Sequence, residues 1–276
     1  MTRSGFSRLL LLPLLACASL VQAGEGARMF EGAPFYAQYI VDYWRQAREP
    51  ESADPSRSAP GWTTDQIHTG GGPTSGPGVQ ALRAKLGRLQ GELLRHPLLR
   101  DPRGFSMTTS GSMGPVRGGP MPVPATGGIG VGAYPLNLSD TATRRRADGR
   151  YHTPGEATFL EVRANELDDL RHRQPVGRWN DIALVGRGDG YMLVLNNSGR
   201  PLYLADPPYG YRLNPKLLDS SRPAEEIQFL TARVTGEWRG VPQKRMDPGG
   251  TVGRMIGVLF LTDWKKLLKE IEPSSR

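Results

Sequence analysis

The sequence predicts a mainly β, α+β fold: an antiparallel β-sandwich or partly open barrel flanked by helices, with a tethered N-terminal helix. Three observations predict it. From about residue 104 onward, apolar residues recur at every second position in roughly seven or eight short runs, separated by Gly, Pro, Asn and Asp. Consecutive runs joined by tight turns imply antiparallel pairing. Segments with a 3.6-residue apolar period precede and follow these runs.

The first 23 residues read as a secretory signal peptide. Arg3 and Arg8 precede an apolar run, Leu9 to Ala16, and Val21-Gln22-Ala23 offers small residues before a cleavage point. The run is shorter than the ~20 residues a bilayer span needs. A second reading attaches to Cys17. Leu14-Leu15-Ala16-Cys17 looks like a bacterial lipobox, whose cleavage would leave a lipidated Cys17 and membrane association. Pro13 and the nearby Arg8 depart from that pattern. Cys17 is the only cysteine. The rest of the chain therefore has no disulfide, thiol nucleophile or Cys-ligated metal site.

Residues 24–48 form an amphipathic segment. Pro34 opens a helix in which Phe35, Tyr36, Tyr39, Ile40, Tyr43 and Trp44 share one face. It packs on the main body or, because Tyr and Trp suit half-wet sites, docks on a partner or membrane surface. Residues 49–78 lose all periodicity and are rich in Pro, Ser, Gly and Thr. They read as a flexible linker, with the helix tethered by it.

Residues 79–272 form the main domain. A helix runs from Val79 to about His96, with Val79, Leu82, Leu86, Leu89 and Leu93 on one face, and Pro97 stops it. Strands follow over Gly104–Met113, Ile129–Leu138 and Ala157–Ala164. A hairpin spans Asp181–Asn197 around the turn Gly186-Arg187-Gly188-Asp189-Gly190. Pro201–Ala205 is a short strand, Ile227–Trp238 the longest and Arg254–Leu261 a buried one. Thr262 or Asp263 caps a last helix that turns Trp264, Leu267, Leu268 and Ile271 inward.

The formal charge is +8, and the leader holds two arginines and no acid, which leaves +6 beyond Ala23. Such a balance suits anionic surfaces, and export argues against nucleic acid as the partner. The one basic cluster, Arg144-Arg145-Arg146 with Arg150, reads as a solvated loop.

Chemistry-bearing patterns are sparse. His96 sits at a helix end, where a cation would meet the negative pole of the helix dipole. His152 and Glu156 are four apart, close enough to share a proton or a metal, but Pro154-Gly155 makes the segment a turn. Asn165-Glu166-Leu167-Asp168-Asp169 offers oxygen ligands for calcium without the EF-hand spacing, or caps a short helical turn. Thr109-Ser110-Gly111-Ser112-Met113-Gly114 lacks the arrangement of a nucleophile elbow. Tyr203, Tyr209, Tyr211 and Trp238 could line a groove in which rings stack on sugars or proline-rich peptides. Tyr36, Tyr43 and Trp44 are the corresponding residues of the first helix.

These readings lead to an exported, periplasmic or secreted, non-enzymatic protein that binds an envelope protein or an anionic polymer, with no metal or cofactor. The alternative is a hydrolase of envelope polymers using paired carboxylates drawn from Glu156, Glu161 and Glu237, with His152 in support.

Overall fold

The computed structural model describes residues 36–46, 52–64, 72–73, 75–114, 122–187, 190–236 and 246–272. The leader with Cys17, and Glu237 and Trp238, lie outside them. Of Tyr36 only the backbone is described.

Seven of the described strands form one open antiparallel sheet. They are β1 (Phe105–Met113), β2 (Gly127–Pro135), β5 (Thr158–Ala164), β6 (Gln174–Trp179), β7 (Ile182–Arg187), β8 (Gly190–Asn196) and β11 (Phe229–Thr235), in the spatial order β1-β2-β5-β11-β8-β7-β6. Two small hairpins join it: β3 (Arg144–Arg145) with β4 (Tyr151–His152), and β9 (Tyr203–Ala205) with β10 (Tyr211–Leu213). The mainly β, α+β class is thus the observed one, and the sheet is not closed into a barrel. Helices, rather than a second large sheet, supply the facing layer.

Alternation decides which residues meet that layer. Ile129, Val131 and Ala133 of β2, Leu160, Val162 and Ala164 of β5, and Leu230, Ala232 and Val234 of β11 enter a single core. Helix α3 (Val79–Leu94) adds Val79, Leu82, Leu86, Leu89 and Leu93, as its periodicity predicts. The last helix, α5 (Trp264–Ile271), is capped by Asp263, whose Oδ1 accepts from Lys266 N at 3.0 Å. It buries the four apolar residues expected of it.

The segment read as the strand Arg254–Leu261 is instead helix α4 (Thr251–Leu261), with residues 253–260 all buried. The sheet lies on one side of it and helix α1 (Tyr36–Arg45) on the other. A segment covered on all sides is apolar on all sides, so its sequence shows no period to separate helix from strand. At Gly257 a Cβ would fall 2.6 Å from Trp44 Cδ1 and 2.9 Å from Leu98 Cδ1, so glycine sets the approach of α1 to α4.

Helix α1 is therefore packed, not merely tethered. Ile40 and Val41 are fully buried and Trp44 nearly so, whereas Tyr39 looks outward. The buried stripe is rotated from the predicted one and includes Val41. The Trp44 indole donates to Pro248 O at 3.1 Å. Buried Arg254 lies between the Trp44 and Phe105 rings, 4.6 and 4.9 Å from their centroids.

Part of the stretch read as a linker is also built into the body. Helix α2 (Pro55–Ser58) starts at Asp54, which caps Ser56 N at 2.8 Å, and Arg57 pairs with Asp247. Gly61 N donates to Pro102 O, Trp62 N to Tyr151 O and Met107 N to Trp62 O, all at 2.8 Å. These bonds hold residues 60–64 along the open edge of β1, which would otherwise present unpaired backbone. Low apolar content concealed this, because backbone hydrogen bonds carry the attachment.

Four strands escaped the sequence: the two-residue β3 and β4, β6 and β10. β6 is an edge strand with a bulge at Pro175–Gly177 and mostly exposed side chains, and β10 is three residues long. The hairpin β9–β10 and the chain after it cover one end of the sheet's other face. There Leu170, Val185, Met192, Val194, Leu202, Leu217 and Phe229 form a second cluster. Among the described residues no helix is long and apolar enough to cross a membrane.

Candidate functional site

Among the described residues the other end of that second face is open over Gly128 and Gly130, with Gly72 and Pro73 at its border, and its shape follows from β2. Because alternate residues point to opposite faces, Ile129, Val131 and Ala133 enter the core while Gly128, Gly130 and Gly132 face outward. Register places Ser112, Ser110 and Thr108 of β1 on one side of these glycines. Arg163, Glu161 and Phe159 of β5 stand on the other. A row without side chains between two rows that have them makes a trough with backbone at its floor. Its deepest part is a cleft of about 530 Å³ lined by Ser110, Ser112, Gly128, Gly130, Glu161 and Glu166, among others.

At Gly132 glycine is needed as well as permitted. A Cβ at Gly132 would lie 2.7 Å from Cε1 of Phe159, whose ring leans over that position. A Cβ at Gly130 would lie 2.7 Å from Ser110 Oγ. The walls are polar and charged. Arg233 Nε and Nη2 donate to Glu161 Oε2 at 3.0 and 2.8 Å. Arg163 and Arg233 each approach Asp169 to 3.6 Å, and Thr231 Oγ1 donates to Asp169 Oδ2 at 3.2 Å. Half-burial, reinforced by Asp169 and Asp168, raises the Glu166 carboxyl above the usual carboxylate range, against the opposing pull of Arg163.

Asn165 fixes the bend that carries this acidic loop. It is buried with φ +58°, a left-handed conformation that asparagine tolerates. Its Nδ2 donates to Ala125 O at 3.0 Å and Glu226 O at 2.8 Å, and its Oδ1 accepts from Gln228 N at 2.9 Å. Residues Leu167–Asp169 then form a single 3₁₀ turn. The calcium reading of this loop loses its central ligand, because Asp169 is already taken by two guanidinium groups and a hydroxyl.

Beyond the Thr108–Gly132 pair the same face ends at an aromatic cluster. His152 Nδ1 lies 2.8 Å from Ser106 Oγ. Trp62 and Tyr134 meet the His152 ring edge-on, with centroids at 5.7 and 5.3 Å. Burial first, and Arg146 second, hold His152 below its ordinary value. The Ser106–His152 contact is not a nucleophile–base pair open to substrate, because Ser106 has no exposed surface.

The remaining predicted residues are scattered. Glu156 is exposed in the turn before β5 and does not line the cleft that Glu161 helps to wall, and Glu237 lies outside the described residues. Tyr203 is half-buried with its hydroxyl toward Leu170 O, and burial pushes it up to about 12. Tyr209 and Tyr211 stand out from the β9–β10 hairpin, 83% and 51% exposed, and do not line the trough. Tyr43 packs edge-on against Trp44 at 5.1 Å, and both serve the protein's own packing. His96 is structural, but not as a cation. Its Nδ1 accepts from Leu98 N at 3.2 Å, and burial lowers it to about 4.

The sequence reading missed Glu166 as a groove residue and the glycine row as its floor. The signal was present as Gly128, Gly130 and Gly132 at period two, but a glycine run also reads as a loop. No family model matches the chain, and no curated protein or solved structure matches it.

Proposed function

We propose that the protein is an exported, non-enzymatic binding protein that holds an extended segment of a partner protein or envelope polymer in the glycine-floored trough. The observation that carries this reading is the row Gly128, Gly130, Gly132 between hydroxyl-bearing and charged walls. An extended chain is narrow enough to lie along such a row. The β2 backbone at the floor is already paired with β1 and β5, so Ser110 and Ser112 on one side and Glu161 and Arg163 on the other are what offer it hydrogen bonds. Phe159 supplies a ring face at one end. The leader over residues 1–23 supports export.

The test is backbone amide NMR of the chain after Ala23, titrated with a muramidase digest of peptidoglycan and, separately, with an unstructured Ser/Thr-rich peptide. Shifts confined to β1, β2 and β5 around Ser110, Gly130 and Glu161 are expected with one of them. Gly130→Val should abolish those shifts while leaving the fold intact, since its nearest obstacle is the mobile hydroxyl of Ser110. No shift in the trough at millimolar ligand refutes the reading.

One observation favours the hydrolase alternative. Glu161 and Glu166 line the same cleft, and Glu166 is pushed toward its protonated form, as a general acid requires. Release of reducing ends from the digest, lost in Glu166→Gln and in Glu161→Gln, would establish it.

A further inference from the structure

We infer that the β3–β4 hairpin is a recognition element for a polymer bearing phosphate groups. This surface lies beyond the aromatic end of the trough face, and the inference does not depend on the trough's role. Residues 140–152 hold four arginines, Arg144, Arg145, Arg146 and Arg150, against two aspartates, Asp140 and Asp148. A solvated arginine run would leave these side chains free to wander, and the structure does not leave them so. The Arg146 guanidinium lies over the Trp62 ring, 4.8 Å from its centroid. Arg145 lies 5.8 Å from the Tyr151 centroid, and its Nε reaches toward Gly149 O. Arg144 Nη1 donates to Thr141 O at 2.7 Å and to Thr143 O at 3.3 Å. Arg150 is used internally: Nη1 donates to Gly61 O at 3.0 Å, and the group faces Asp101.

Each of the three adjacent arginines is thus restrained on one side and exposed on the other. Among the described residues the Arg146 guanidinium makes no hydrogen bond or ion pair, so its five donors are available. Stacking on Trp62 removes part of the rotamer entropy that ordinarily weakens an arginine contact. The two hairpin acids are occupied elsewhere: Asp140 caps Ala142 N at 2.8 Å and Asp148 caps Arg150 N at 2.9 Å.

Alternation along β3 sends Arg145 to the Tyr151 face of the hairpin and leaves Arg144 and Arg146 on the His152 face, so the three guanidinium groups do not present one shared plane. A planar carboxylate accepts a single fork in its own plane. A tetrahedral phosphate offers oxygens in several directions and suits differently oriented forks. A long repeating phosphate chain can also reach cations on both faces of a two-stranded hairpin, and it suits a net positive chain. A membrane surface fits less well: among the described residues the exposed large apolar ones are Tyr39, Val123, Val176, Tyr209 and Tyr211, none of them on this hairpin.

The experiment is a titration of the chain after Ala23 with long-chain inorganic polyphosphate between about 50 and 200 mM salt. Binding that weakens steeply with salt is expected. Arg144→Gln/Arg145→Gln/Arg146→Gln should weaken it at least about tenfold with an unchanged unfolding midpoint. Arg146→Lys keeps the charge but loses the stacked fork, and should recover only part of the loss from Arg146→Gln. Unchanged affinity in the triple variant, or no binding at the lowest salt, overturns the proposal. Equal affinity for poly-glutamate overturns the phosphate assignment, and tighter binding to vesicles of anionic phospholipid overturns the polymer assignment. Trough variants such as Gly130→Val should leave polyphosphate binding intact, so this proposal and the trough reading fail separately.

Discussion

Replacing Trp44 by alanine asks whether the first helix is part of the fold. Trp44 is 5% exposed, donates its indole N–H to Pro248 O and fits against the bare backbone of Gly257. It also forms one of the two rings that enclose buried Arg254. Truncating a buried tryptophan costs about 3–5 kcal/mol through lost burial and the cavity left behind. Arg254 loses half of its ring enclosure in addition, which places the expected loss at the upper end. For a domain of this size each kcal/mol lowers the unfolding midpoint by about 2–4 °C, so a fall of roughly 6–20 °C is expected. The assay is urea and thermal unfolding of the chain after Ala23, followed by far-UV circular dichroism so that the lost fluorophore does not matter. Arg45→Ala is the internal control, since that side chain is 53% exposed at the end of the same helix and should cost under about 1 kcal/mol. A Trp44→Ala loss as small as the control's would refute the packing argument and return the helix to a tether.

Three further outcomes follow from the same physics. Asn165→Ala strips two carbonyls and two backbone N–H groups, those of Gln228 and Phe229, of their buried partner and leaves alanine at φ +58°. It should cost about 3 kcal/mol or more, and Asn165→Gly should recover only the backbone part in the same unfolding assay. Glu272→Ala leaves the largely buried Lys85 without its 2.6 Å partner and Ile227 N without its acceptor. A loss of about 3 kcal/mol is expected, and the double variant Lys85→Met/Glu272→Leu should be markedly more stable than Glu272→Ala. Full additivity there would contradict a coupled pair. His96, lowered to about 4, binds its proton more readily in the unfolded chain. Its contribution is therefore complete above about pH 6.5 and is lost as pH falls toward 4, by about 2–3 kcal/mol. His96→Asn should flatten the stability profile across that window, and an identical profile would refute the assignment.

Legibility differed by element for physical reasons. Helices α3 and α5 each bury one face and expose the other, so Leu82, Leu86 and Leu89, and Leu267, Leu268 and Ile271, announced them by spacing alone. β5 alternates buried and half-exposed residues without a break and was equally plain. Helix α4 was read as a strand because both of its sides are covered. β6 was missed because an exposed edge strand carrying Pro175 and Gly177 has little apolar pattern. Residues 60–64 looked like a tether because backbone atoms, which every sequence shares, hold them in place.

The sequence by itself determined the mainly β class, the antiparallel pairing and the inward faces of α3, α5 and β5, because period and turn chemistry are local properties of the chain. Tertiary structure alone decided the trough and the arginine surface. The trough exists because register sets Gly130 between Ser110 and Glu161, and register depends on three strands at once. Arg146 is ordered because Trp62, far away in the chain, lies beneath it. Contacts between residues so distant in sequence leave no periodicity to read; they arise when the sheet forms and brings separate segments to one face.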